Sequence, residues 1–268
     1  MENAAPYQSY AALRIERRGR ILTITLDSPP TNMSLEIHRE LSTIFADVNR
    51  DADTAVVIFT GADKVFSAGG NINRMAERAE KGLHADWLGS LEEAKETLLG
   101  LLRCKKPVIA RVNGHAMGMG ATLATFCDIS VMVETAKIAD THVKVGLAAG
   151  DGGALLWPTL IGYARARELL LLGETITGAQ AAQYGLITRA VPASELDATV
   201  NRFAEALASG ATAAINGTKI AINAVLRAQL EPFIETHFGI ETATYLSADH
   251  REAATAFRDK RQPAFTGR

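Results

Sequence analysis

The chain has 268 residues, 47% hydrophobic and 22% charged, with a formal charge of −2. That size and composition suit one large globular domain, or a domain with a small appendage. Acidic and basic residues intermingle, so no basic stripe marks a nucleic-acid partner and no basic amphipathic segment marks a membrane surface; a small-molecule partner is the expectation.

In chain order, residues 1–6 lack a positive stretch followed by an apolar one, and no run of about 18 apolar residues occurs anywhere. A cytoplasmic location is expected. Leu13–Arg17 and Ile21–Leu26 alternate around Gly19 and predict an opening hairpin. Ser34 is placed to cap a helix whose apolar positions Leu35, Ile37, Leu41, Ile44, Phe45 and Val48 recur at helical spacing, ending at Asp51-Ala52-Asp53.

Ala55–Thr60 predicts a buried strand, followed by the glycine turn Phe66-Ser67-Ala68-Gly69-Gly70-Asn71-Ile72. A helical pattern from about Asp86 to Arg103 precedes the strand Pro107–Val112, a βαβ arrangement. A second turn follows, Gly114-His115-Ala116-Met117-Gly118-Met119-Gly120, then the small-residue segment Ala121–Phe126 and the strand Ile129–Val133. Strands alternating with helices predict a largely parallel sheet covered by helices, an α/β fold.

Beyond Gly152 the pattern is helical: Ala154–Leu160, Ala164–Leu172, Ala179–Tyr184, Ser194–Ser209 and further helix past Ala213. Asp249 three positions before Glu252 has the spacing of a capping box for a last helix through Phe257. The division expected is a core over 1–200 and a helical region over 201–268, either a small domain or an arm on another subunit. Cys104 and Cys127 have neither metal-ligand spacing nor the density of a disulfide scaffold, so reduced thiols are expected.

A glycine turn at a strand end can aim bare N–H groups at a ligand, and two such turns can converge on one oxygen as an oxyanion hole. The plainer reading is tight helix–sheet packing. Neither turn has the spacing of a dinucleotide fingerprint or a phosphate loop.

Together the two turns resemble those of the enoyl-CoA hydratase/isomerase family, the crotonase superfamily. Further matches in the right order are Lys106–Ala110, Cys127-Asp128-Ile129, Gly178–Ile187 and Phe257–Phe265, so the resemblance spans nearly the whole chain. It implies repeated ββα units with a helical C-terminal region, assembly as a homotrimer or dimer of trimers, and an acyl-CoA thioester substrate. No separate cofactor or metal is implied, since CoA enters as part of the substrate. By position, the oxyanion donors would be the backbone N–H groups of Gly70 and Met119, the latter standing where the family usually has glycine. Met33, Leu35, Ala68 and Ile72 would flank the CoA.

The chain departs from the resemblance at the two hydratase glutamates, whose positions hold Thr122 and His142. A threonine hydroxyl can hold a water but moves no proton near neutral pH, whereas imidazole accepts or donates one there. Asp151, nine residues after His142, makes a His–Asp pair like that of the superfamily's β-diketone hydrolases, where the pair activates water. Against those hydrolases, both glycine turns persist here.

The alternatives are a structural His142, and an Asp151 that caps the helix starting near Gly152. His115 reads as a loop residue, and Lys260 and Arg261 as a CoA-phosphate contact or a solvated pair. Three readings remain open: an acyl-CoA enzyme with His142 and Asp151 in the glutamates' place, a His/Asp hydrolase of a β-dicarbonyl or thioester, and a non-catalytic acyl-CoA binder.

Overall fold

The computed structural model describes residues 7–27, 32–81 and 84–268. Residues 1–6, read above for a leader, lie outside them. In chain order the elements are β1 (Leu13–Arg18), β2 (Ile21–Leu26), β3 (Asn32–Met33), α1 (Leu35–Arg50), β4 (Val56–Gly61), β5 (Val65–Ser67), β6 (Gly69–Gly70), α2 (Ile72–Lys81), α3 (His84–Arg103), β7 (Val108–Val112) and β8 (His115–Met117). Then follow α4 (Met119–Phe126), β9 (Ile129–Val133), β10 (Lys137–Ala139), α5 (Gly153–Leu172), β11 (Ile176–Thr177), α6 (Gly178–Tyr184), β12 (Arg189–Val191), α7 (Leu196–Ser209), α8 (Thr212–Tyr245) and α9 (Ala248–Arg258).

The main sheet runs β1-β2-β4-β7-β9-β12. The β1–β2 hairpin is antiparallel, with Leu13 opposite Leu26, and every later pair is parallel. All six residues of β4 are buried, which is why Val-Val-Ile-Phe reads as a continuous apolar run rather than an alternation. Ser34 caps α1, accepting from the Ile37 N–H, and Ile37, Leu41, Ile44, Phe45 and Val48 face inward as their spacing requires.

A second sheet, β11-β10-β8-β5, positions the site. Its strands β5, β8 and β10 are mutually parallel neighbours, so their C-terminal ends emerge on one edge. Ala68–Gly70 of the first glycine turn, Gly118–Met119 of the second, and the segment Asp140–His142 each follow directly from one of these ends, β5 and β8 themselves occupying the earlier part of the two turns. Ligands of α/β sheets bind beyond such carboxyl ends, where loops from neighbouring strands converge.

α5 carries a break at Gly162, with φ 75°, so the two helices expected there meet end to end. α9 is capped by Ser247, which accepts from the His250 N–H. Asp249 and Glu252 do not form the expected box: Asp249 accepts from the Thr266 and Gly267 N–H groups, and Glu252 pairs with Arg261. A carboxylate that holds the returning C-terminal segment cannot also reach the helix start.

The 200/201 division falls within α7. α8 is tied to the core by Lys219, whose buried ammonium donates to the Lys106 carbonyl and to Asp128 at 2.6 Å. Both cysteines are free and buried. Among the described residues no helix is long and apolar enough to cross a membrane.

Candidate active site

The two glycine turns meet backbone to backbone. A Cβ on Gly69, which has φ +79°, would stand 2.6 Å from the Met117 carbonyl oxygen, so only glycine allows this approach. Met119 opens α4, and the first N–H groups of a helix have no acceptor within it. Gly70 and Met119 line one cavity of about 110 Å³, as do Met33, Leu35, Ala68 and Ile72. That volume holds several waters.

His142 stands against the second turn: a Cβ on Gly118 would lie 3.9 Å from its Cε1. Its Nδ1 is 2.6 Å from Asp140 Oδ1, and its Nε2 is 3.3 Å from Asp151 Oδ2. His142, Asp140 and Asp151 are all buried. Burial opposes charge on the ring, but the carboxylates of Asp151 and Asp140 outweigh it and hold the His142 pKa well above the usual value. The imidazole is therefore a cation at neutral pH. Burial would raise Asp151, yet the ring beside it and the Thr122 hydroxyl hold its carboxyl below the usual range.

Asp151 does not cap α5; Gly152 holds the cap position without a side-chain bond. It faces His142 and accepts from Thr122 Oγ1 at 3.2 Å. Thr122 is 1% exposed and stands behind Asp151 rather than on the cavity wall. A Cβ on Gly152 would come 2.3 Å from the Thr122 methyl, so glycine there lets the loop seat Asp151 against α4.

Three titratable groups at the site carried no signal in the sequence. Asp140 reads as a loop acid between a strand and a turn. Glu241 reads as a solvated position of α8, but it is 2% exposed, lines the cavity, and has Oε2 without a hydrogen-bond partner. Burial first, and the Asp151 charge second, push its pKa well above the usual carboxyl value, which favours its neutral form. His38, on α1, lines the same cavity and is held down to about 4 by burial, a neutral ring.

Ligand atoms of Asp140, His142 and Asp151 lie within 4.8 Å of one another, a spacing a metal ion could use. Both ring nitrogens already face carboxylates, and a metal ligand must be a deprotonated ring; the raised His142 pKa opposes that. His115 is exposed, and its Nδ1 accepts from the Lys137 N–H, a structural role. Arg261 is engaged by Glu252.

Strand ends converge here on a cavity walled by acids and bases, the arrangement of an enzyme site. The sequence profile of the enoyl-CoA hydratase/isomerase family matches residues 16–268. A probable enoyl-CoA hydratase of Mycobacterium bovis is 30% identical over 263 residues, covering 97% of this chain and 100% of that one. The 1,2-epoxyphenylacetyl-CoA isomerase of Escherichia coli is 34% identical over 252 residues, 92% of this chain and 95% of its own. Among solved structures, a β-diketone hydrolase of the cyanobacterium Anabaena, bound to (S)-3-oxocyclohexyl acetic acid, superposes with TM-score 0.83 at 26% identity, covering 92% of this chain and 98% of that one. The chain belongs to the enoyl-CoA hydratase/isomerase family.

Proposed function

We propose that the protein binds an acyl-CoA thioester, polarises its carbonyl between the N–H groups of Gly70 and Met119, and moves protons through the resulting enolate. The observation that carries this reading is the His142–Asp151 contact set against the second glycine turn. Asp151, a carboxylate, accepts the proton that leaves carbon, and His142, an imidazolium, returns one to the enolate. The proton then passes from Asp151 to Nε2 across the 3.3 Å contact, which restores both groups.

Asp140 holds the ring through Nδ1, and Thr122 orients Asp151; both are positioning residues. Met33, Leu35, Ala68 and Ile72 would flank the CoA, which enters as part of the substrate with no further cofactor proposed. A homotrimer or dimer of trimers is the assembly proposed with this reading. An isomerase among the relatives fits acid–base chemistry without the two hydratase glutamates.

The test is deuterium wash-in at the α-carbon of butyryl-CoA in D2O, read by mass spectrometry. Exchange by the wild type, lost in His142→Ala, supports the reading; binding of butyryl-CoA without exchange at high enzyme concentration refutes it and favours a non-catalytic binder.

A second reading is hydrolysis of a β-dicarbonyl or thioester, favoured by the likeness to the β-diketone hydrolase and by the Thr122–Asp151 bond beside His142. There Asp151 takes a proton from water, hydroxide adds to the carbonyl, and the leaving enolate or thiolate takes a proton from His142 or Glu241. Release of a free acid from the substrate separates it from proton transfer alone.

A further inference from the structure

At the α2–α3 side of the cavity, Arg78 of α2 is 6% exposed and lines the wall. One terminal nitrogen donates to Ser90 Oγ at 3.0 Å, and Ser90 in turn donates to the Asp86 carbonyl. Its Nε has no hydrogen-bond partner. Asp86 and Glu93 act on it from a distance, but among the described residues no carboxylate forms an ion pair with it. Arg74, one turn earlier, lines the same cavity and repels it.

Trp87, on the facing helix, adds an independent observation. It lines the cavity, and its ring stacks on Tyr245 at 4.0 Å, yet its buried Nε1–H has no acceptor. A buried cation without a counter-charge and a buried donor without an acceptor are both costly. Two donors of this kind on one cavity wall call for an acceptor that the protein itself does not supply. Glu241 does not supply it, since no ion pair joins it to Arg78, and burial opposes its charged form.

We propose that Arg78, with the Trp87 indole N–H, forms a carboxylate subsite, so that the preferred acyl group carries a terminal carboxylate. A carboxylate offers acceptors only and matches the guanidinium fork, which a neutral acyl tail does not. This rests on the acyl-CoA reading above and deepens it: the glycine turns hold the thioester end, and Arg78 holds the far end. Arg78 is thereby a specificity-determining residue that takes no part in proton transfer.

The test compares glutaryl-CoA with pentanoyl-CoA, whose acyl group is uncharged and of equal chain length, by calorimetry on the full-length protein. The wild type binds glutaryl-CoA about 10- to 100-fold more tightly. Arg78→Gln abolishes the preference while pentanoyl-CoA affinity stays within about threefold, and Trp87→Phe, which keeps the ring stack, reduces it. Equal affinities in the wild type overturn the proposal, whatever the variants do. If neither thioester binds, the acyl-CoA reading fails by itself, and free glutarate decides the subsite. Stabilisation of the wild type by glutarate, absent in Arg78→Gln, sustains the subsite, and no stabilisation overturns it.

Discussion

The cavity has two unlike walls. One is backbone: the Gly69–Gly70 and Gly118–Met119 turns, set by parallel strands β5 and β8. The other is made of side chains, His142 from beyond the end of β10, Asp151 from the loop before α5, and Glu241 from α8, with Asp140 held against the His142 ring. The backbone wall depends on conformation and tolerates changes of side chain wherever φ permits. The side-chain wall depends on mutual charge, because each group sets its neighbour's protonation. On the proposed reading, binding geometry and reaction chemistry are carried by separable parts.

The largest expected effect falls on the side-chain wall. His142→Ala slows α-exchange by about 10²–10⁴, the usual worth of a positioned acid or base, while calorimetric unfolding stays cooperative. Gly69→Ala comes next: a Cβ there strains a φ of +79° and strikes the Met117 carbonyl, and displacing the proposed donor at Gly70 lowers the rate about 10²–10³. Met119→Gly sharpens the contrast, since its donor is backbone; the rate stays within about threefold.

A smaller effect separates the walls by pH. The His142 pKa is raised in the folded chain, so its acid form persists through neutral pH and exchange declines as pH rises through that value. By linkage, the stability that this charged ring contributes is full below about 6.5 and is lost over the same rise. Asp140→Asn moves the alkaline limb of the rate profile to lower pH by removing one of the two stabilising charges. An unmoved limb would show that Asp140 does not act on the ring.

The smallest effect on turnover comes from a residue remote from both walls. Lys219→Met strands Asp128 and lowers unfolding free energy by about 2–3 kcal/mol, less than a fully buried pair because Asp128 is partly exposed. Denaturant titration reads the loss, and the rate per folded molecule is unchanged. The Asp128 of the Cys127-Asp128-Ile129 segment accepts from the Val108 N–H as well as from Lys219, which gives that family motif a structural role.

Much of this was legible along the chain. The hairpin, α1 with its Ser34 cap, the buried strands and both glycine turns are local patterns of periodicity and punctuation. The short strands β3, β6 and β11, two residues each, were not legible, because so few residues carry no period and exist only through pairing. The Asp249–Glu252 spacing matched a capping box, but both carboxylates bind the C-terminal tail instead.

What the sequence determined by itself is the set of conformations glycine alone permits and the presence of a threonine at 122 and a histidine at 142, since both are properties of single positions. Only the tertiary structure decided the chemistry of the site. Asp151 faces His142 rather than capping α5, Asp140 grips the other ring nitrogen, and Glu241 arrives from a distant helix with its neutral form favoured. Protonation depends on burial and on charges brought together through space, and neither is a property of any local stretch of chain.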